Sequence, residues 1–310
     1  MNLNDSGIAA VLLFFSLYLV LEFQDIGVSI ISPVVSRTRE ENKAALGLLK
    51  PGIDGNEIWL FLGMAGIGAG LFGGVYSWAA LPVLAGAACI GMLFRLSAPF
   101  LPNIFKSGIM MKLLSAISFI NLFVTGVIIF SLIGKSTYEF SWYTLFGGIW
   151  LIISSVQMGS LYGAVKVVNP LGERFRATSL VTGLLSLTLF VIFVFLSFLF
   201  IDVLKDQGDI YFSGAALSVI LSILSFVAIR MRKLYLGLVA GYLYHFYSVL
   251  TMMIPLYLEI VNKAGESFTM TGNGELPVST LIIGGAVFSG AVFIYRLLRK
   301  KEEYTWNDYI

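Results

Sequence analysis

Long apolar blocks alternate with short polar joints along this chain. A helix needs roughly 20 apolar residues to cross the hydrocarbon core of a bilayer. Nine blocks reach about that length, at about 8–32, 57–78, 80–102, 112–134, 143–166, 178–202, 211–230, 234–258 and 278–298. Each is predicted to be a transmembrane helix. No joint is long enough for a globular domain: the longest spans about 33–56, and the next connects the last two blocks. The pattern predicts an all-α polytopic membrane protein, with residues 1–310 forming one integral membrane domain.

Composition agrees. Of 310 residues, 58% are hydrophobic and 12% charged, and the mean hydropathy is +0.89. A soluble domain carries about 25% charged residues, so the main surroundings of this chain are lipid. The net charge of +2 points to no particular partner, and no basic stripe suggests nucleic acid. Cys89 is the only cysteine and His245 the only histidine. An intrachain disulfide and a Cys/His zinc cluster are therefore both excluded. Met1 to Gly7 carries Asp5 but no Lys or Arg, and the apolar block after it is longer than a signal-peptide core.

Charge placement predicts the orientation. With the N-terminus outside, all Lys and Arg except Lys135, Lys205 and Lys263 fall in cytoplasmic segments. Every cytoplasmic segment is basic, as the positive-inside rule requires. The alternation holds only for an odd number of spans, which puts the C-terminus in the cytoplasm.

Most candidate chemistry lies between Leu21 and Leu60, with one more group at Arg95. Glu22 and Asp25 are three residues apart near the end of span one and share a helix face. Asp54 and Glu57 repeat that spacing where span two begins. Ionisable groups at membrane depth are expensive and are functional candidates by default. Asp54 also suits an N-cap, with Glu57 at the third helical position as in a capping box. That reading leaves the first acidic pair unexplained. Arg95 ends span three on the same side and reads either as the counter-charge to these acids or as an ordinary positive-inside anchor. Burial raises a carboxyl group's proton affinity and a neighbouring guanidinium lowers it. Such opposing pushes suit groups that exchange protons near neutral pH. Gly66, Gly70 and Gly74 form small-xxx-small pairs in span two and predict close packing against another helix. Glu173, between basic residues after span five, reads as a solvated loop charge. His245, beside Tyr242, Tyr244 and Tyr247, reads as a hydrogen-bonded interior residue rather than a haem ligand.

These motifs resemble subunit II of the cytochrome bd quinol oxidases. Glu22-Phe23-Gln24-Asp25-Ile26-Gly27-Val28-Ser29 is similar to that family's Asp-Gly-Phe-Asp-x-Gly-Val-Gly pattern. Ile53-Asp54-Gly55-Asn56-Glu57-Ile58-Trp59-Leu60 resembles its Trp-Asp-Gly-Asn-Glu/Gln-Val-Trp-Leu, the most specific signal in the chain. Phe94-Arg95 matches the end of its third span, and Gly163-Ala164 through Arg176 is more loosely similar. The chain departs from the pattern at Phe23-Gln24, which replace Gly-Phe. It departs again at Leu71 to Gly74, where an aromatic-Pro step is usual, and after Arg95, where an acidic residue is usual. It is also short for the family.

The resemblance implies a heterodimer in a prokaryotic cytoplasmic membrane. This chain would be the haem-free half, with no cofactor of its own. Subunit I would carry haem b and haem d, or haem b alone, and the quinol site. Quinol would be the substrate of the complex and dioxygen the electron acceptor. Glu22, Asp25, Asp54, Glu57 and Arg95 would contribute to cytoplasmic proton access. Small accessory membrane subunits could sit on the lipid face. Two other readings use the same residues. A secondary transporter or ion channel would bind its ion at the carboxylates, but the paired helix breaks such transporters often show are not evident. A purely structural subunit would use them to neutralise Arg95 and cap a helix.

Overall fold

A computed structural model describes residues 3–49, 108–133, 142–201, 204–205 and 208–264. The expected spans 57–78, 80–102 and 278–298 lie outside the described residues. The described residues form helices α1 (Leu3–Val35), α2 (Arg39–Gly47), α3 (Gly108–Ile133), α4 (Trp142–Lys166), α5 (Asn169–Phe200), α6 (Gly208–Arg230) and α7 (Leu234–Ala264). All but α2 are long and apolar enough to cross a membrane: Leu12–Val35, Gly108–Val127, Tyr143–Lys166, Pro170–Phe200, Gly208–Arg230 and Leu234–Pro255.

Two helices sit inside the bundle. The span of α1 is 83% buried and that of α4 is 78% buried, against 33% for α5 and for α6. Helix α4 packs against α1, α3, α5 and α7, and α1 packs against α3, α4 and α7. The outer helices turn large apolar side chains outward, among them Leu184, Phe195 and Leu199 on α5 and Ile220 and Ile223 on α6. A soluble protein avoids such continuous apolar faces, and lipid covers them at no cost.

The contact between α1 and α4 is made by backbone. A Cβ on Gly27 would fall onto the carbonyl group of Ser155, and one on Gly159 would fall onto Gly27 and Val28. Only glycine lets two helices come this close. Ser155 Oγ then donates to the Phe23 carbonyl at 2.9 Å and fixes the register. A second close pair, Gly126 and Gly148, joins α3 to α4.

One end of the bundle is basic. It gathers the C-terminal ends of α1, α4 and α6 and the N-terminal ends of α5 and α7. Two expectations are corrected here. The 33–56 joint is not all loop, because Thr38-Arg39-Glu40-Glu41 is a capping box that starts α2. The Glu41 N–H donates to Thr38 Oγ1 at 3.2 Å. Nor is Glu173 in a loop: α5 begins at Asn169, and Pro170 is tolerated because a first-turn N–H has no helical partner anyway. Glu173 stands on that helix and pairs with Arg176 at 2.8 Å and Arg232 at 3.1 Å.

Arg232 occupies the left-handed position of the α6 C-cap, with φ 60°. The Lys233 N–H reaches the Ala228 carbonyl at 2.9 Å and the Arg232 N–H reaches Ile229 at 3.1 Å, as in a Schellman motif. Glycine is usual there. Arginine costs about 1–2 kcal/mol in backbone strain, and its pairing with Glu173 offsets part of that.

Helix α2 is latched to α5. Glu41 accepts from the Arg37 N–H at 2.5 Å and from the Arg174 guanidinium. Partial burial alone would raise the proton affinity of Glu41. The Arg37 N–H and Arg174 outweigh it, and the pKa falls below the ordinary carboxylate value.

Two outcomes follow for stability. Gly159→Val drives a side chain into the α1 backbone, so it should cost more than the ~1–3 kcal/mol typical of overpacked cores. Thermal melting in detergent checks this, and a wild-type midpoint would mean the crossing is looser than described. For the latch, a carboxylate with a lowered folded pKa stabilises at pH above its unfolded value and loses that contribution as pH falls through the folded one. Glu41→Gln should therefore speed hydrogen exchange in α2 at neutral pH, consistent with a lost pair worth about 1 kcal/mol. Compared at equal pH, wild type and variant should converge as pH falls through the lowered pKa of Glu41.

Candidate functional site

The first acidic pair lies in the most buried helix. Glu22 is 3% exposed and Asp25 5% exposed. Asp25 is ten residues from the basic end of α1 at Val35, about 15 Å at the helical rise of ~1.5 Å per residue. The sequence suggested a place near the end of the span. Asp25 lies in the C-terminal half of α1, Leu3–Val35. Both carboxyl groups are buried within the protein.

One partner lies beside it. Gln24, 2% exposed, directs its Nε2 to Asp25 Oδ1 at 3.4 Å, a long hydrogen bond. The other end of the amide, Oε1, accepts from the Tyr242 hydroxyl on α7. Ser29 Oγ donates to the Asp25 carbonyl at 2.9 Å, as Ser32 Oγ does to Val28 at 2.5 Å. Pro33, further along the helix, has no N–H and leaves the Ser29 carbonyl without its helical donor.

Further buried groups lead from this cluster to the basic end. Asp25 and Tyr162 both lie within electrostatic range of the Tyr242 hydroxyl. Tyr162 is on α4, and the ammonium of Lys166 sits 5.9 Å from its ring centroid. Lys166 is the last residue of α4 and is 5% exposed. The sequence marked it only as a basic residue of the positive-inside pattern. Lys166, Tyr162, Tyr242, Gln24 and Asp25 thus form a buried polar series contributed by three helices.

A second polar seam continues beyond it. Ser154 Oγ and Ser186 Oγ are 2.9 Å apart, and Ser186 Oγ and the Tyr244 hydroxyl 3.0 Å apart. His245 differs from expectation. It is fully buried, but neither ring nitrogen has a hydrogen-bond partner among the described residues. The ring packs edge-on to Phe23 at 5.7 Å and tilted against Tyr244 at 4.5 Å. Rings enclose it, so it packs as an aromatic side chain.

The remaining candidates, Asp54, Glu57, Arg95, Gly66, Gly70 and Gly74, lie outside the described residues. Among the described residues, no three of His, Cys, Asp and Glu gather as they would around a metal ion.

A family model described as cytochrome bd terminal oxidase subunit II matches residues 3–299. The match covers nearly the whole chain, and the chain belongs to this family. Comparison with individual curated proteins finds no match. Membership makes the chain part of a membrane oxidoreductase complex with a partner oxidase subunit.

The packing of His245 has a measurable consequence. His245→Phe keeps a ring and removes two unpaired buried nitrogens. Stability should be unchanged or rise by about 1 kcal/mol. A large fall in the melting midpoint of the detergent-solubilised complex would show that the imidazole makes polar contacts the packing does not reveal.

Proposed function

We propose that this chain is the haem-free half of a quinol:dioxygen oxidoreductase and conducts protons from the cytoplasm toward the haem-bearing partner. Quinol oxidation supplies the electrons. Reduction of dioxygen to water consumes protons, which must cross low-dielectric protein to reach an enclosed centre. A carboxyl group inside the bilayer is costly unless it has such work or a firm partner. The observation that carries the reading is the burial of Glu22 and Asp25 within the innermost helix.

In this reading Asp25 and Asp54 pass protons. Arg95 tunes their affinity, and Glu22 and Glu57 assist. The chain spans the membrane nine times as one domain, with its N-terminus outside and its C-terminus in the cytoplasm. The basic end of the bundle then faces the cytoplasm, where Lys166 and Tyr162 lie between the interface and Tyr242. The haems b and d, or b alone, and the quinol site belong to the partner. In support, His245 is the only histidine, and one histidine cannot supply the several axial ligands that the haems need. Gly66, Gly70 and Gly74 contribute to the interface with the partner.

Quinol oxidase turnover per haem in purified Asp25→Asn and Asp54→Asn complexes tests the proposal. Both should turn over at least severalfold more slowly than wild type with normal haem content. Wild-type turnover in both would reduce the acids to a structural role. Purification of the chain without a haem-bearing partner would favour an independent transporter.

A further inference from the structure

We propose that the turn joining α6 to α7 binds the headgroup of an anionic phospholipid whose acyl chains lie along the outer face of α6. The site is separate from the buried acids of α1 and does not depend on their handling protons.

The outer face of α6 is apolar up to the turn. Ile220, Ile223 and Val227 are exposed, and their three- and four-residue spacing puts them on one face of the helix. The next positions on that face are Arg230 and Met231. Met231 continues the helical turn, because its N–H donates to the Val227 carbonyl at 2.9 Å, and it is 59% exposed. The stripe therefore passes from hydrocarbon to cation within one turn. A phospholipid passes from acyl chain to phosphate over a comparable step. Tyr235, exposed at the start of α7, adds an aromatic ring where the turn meets the membrane surface, a depth that tyrosine favours.

The turn carries more positive charge than its own contacts neutralise. Arg230, Arg232 and Lys233 are all exposed. Among the described residues Arg230 and Lys233 make no ion pair, whereas Arg232 reaches Glu173 at 3.1 Å. Glu173 is shared with Arg176 at 2.8 Å. One carboxylate thus stands against four cations. Pairing does not exhaust them: a guanidinium has five N–H donors, and the Arg232 side chain is still 69% exposed. The backbone holds a guanidinium here at φ 60°, where glycine would fit without strain, and Glu173 ties that side chain to the first turns of α5. A phosphate accepts several charge-assisted hydrogen bonds at once, so it suits a group of cations better than a single carboxylate does. A zwitterionic headgroup would bring a cation of its own to the turn, and a soluble anion would leave the apolar stripe unmatched. An anionic phospholipid fits both halves.

Basic segments beside a membrane attract anionic lipid diffusely, so a site must be told apart from general attraction. Photo-crosslinking in the whole complex does this. Val227→p-benzoylphenylalanine places the probe on the stripe, one turn below the cations. The complex is reconstituted in bilayers of equal phosphatidylglycerol and phosphatidylcholine, and the captured lipid is identified by mass spectrometry. Phosphatidylglycerol should be enriched severalfold over its share of the bilayer. Adding Arg230→Gln and Lys233→Gln should abolish the enrichment. Arg37→Gln with Arg39→Gln removes the same charge from exposed positions before α2 and should preserve it. The exchange Arg230→Lys with Lys233→Arg keeps both charges and should preserve it too. Capture without enrichment in the complex that carries the probe alone overturns the proposal. Equal loss in both glutamine pairs also overturns it, since the attraction is then diffuse. So does capture of a polypeptide at position 227, which would make this face a protein interface.

Discussion

Where Gly27 meets Gly159, two transmembrane helices touch with no side chain between them. Within lipid there is no hydrophobic driving force to hold helices together, so packing and a few polar bonds must do it. Small residues permit the approach, and the Ser155 bond to the Phe23 carbonyl fixes its register. The crossing sets the turn that carries Glu22, Gln24 and Asp25. A shift of α1 along α4 would move all three relative to Tyr242 and Tyr162. The polar series therefore depends on a contact with no chemistry of its own.

That dependence explains how carboxyl groups can sit so deep. A buried acid is tolerable when hydrogen bonds and charge around it replace water. Around Asp25, groups on three helices contribute to this among the described residues. Gln24 supplies an amide N–H on α1 itself, Tyr242 orients that amide from α7, and Tyr162 with Lys166 adds polar surface from α4. Every helix involved packs against the others. The environment of Asp25 is consequently a property of the bundle and not of the motif around residue 25.

Much of the fold was legible in the sequence because lipid imposes a simple rule. A span must be apolar for about 20 residues, and the six spans found fall where the apolar blocks do. The boundaries were harder to read. Pro170 and the charges after it suggested a loop, whereas they open α5, since a first helical turn accepts both. The Thr38-x-x-Glu41 box was present in the sequence and marks α2 without ambiguity once its spacing is noticed. Glu22 and Asp25 stood out because acids inside a span are rare. Gln24 and Tyr242 did not, because glutamine and tyrosine in a span are individually unremarkable and these two are 218 residues apart. Their meaning lies in their meeting, which only the packing of α1 on α7 creates.

The departure from the family's pattern at position 24 gains a physical reading from this meeting. The pattern places an apolar aromatic residue between the two acidic positions, and this chain places a buried amide there. An aromatic ring can shield a carboxylate but cannot donate an N–H to it or accept from a tyrosine. With glutamine, the carboxylate gains a donor, and the donor's orientation depends on a second helix. The substitution at Gln24 is then not independent of the residue at position 242: glutamine without the tyrosine would leave Oε1 buried and unpaired, and the tyrosine without glutamine would lose its acceptor. Removing the tyrosine takes from Gln24 the donor to its buried Oε1, a loss of roughly 1–3 kcal/mol where such a group is left unsatisfied. Among the described residues, the surroundings of Asp25 therefore include a pairing between α1 and α7 that the acidic motif alone does not contain.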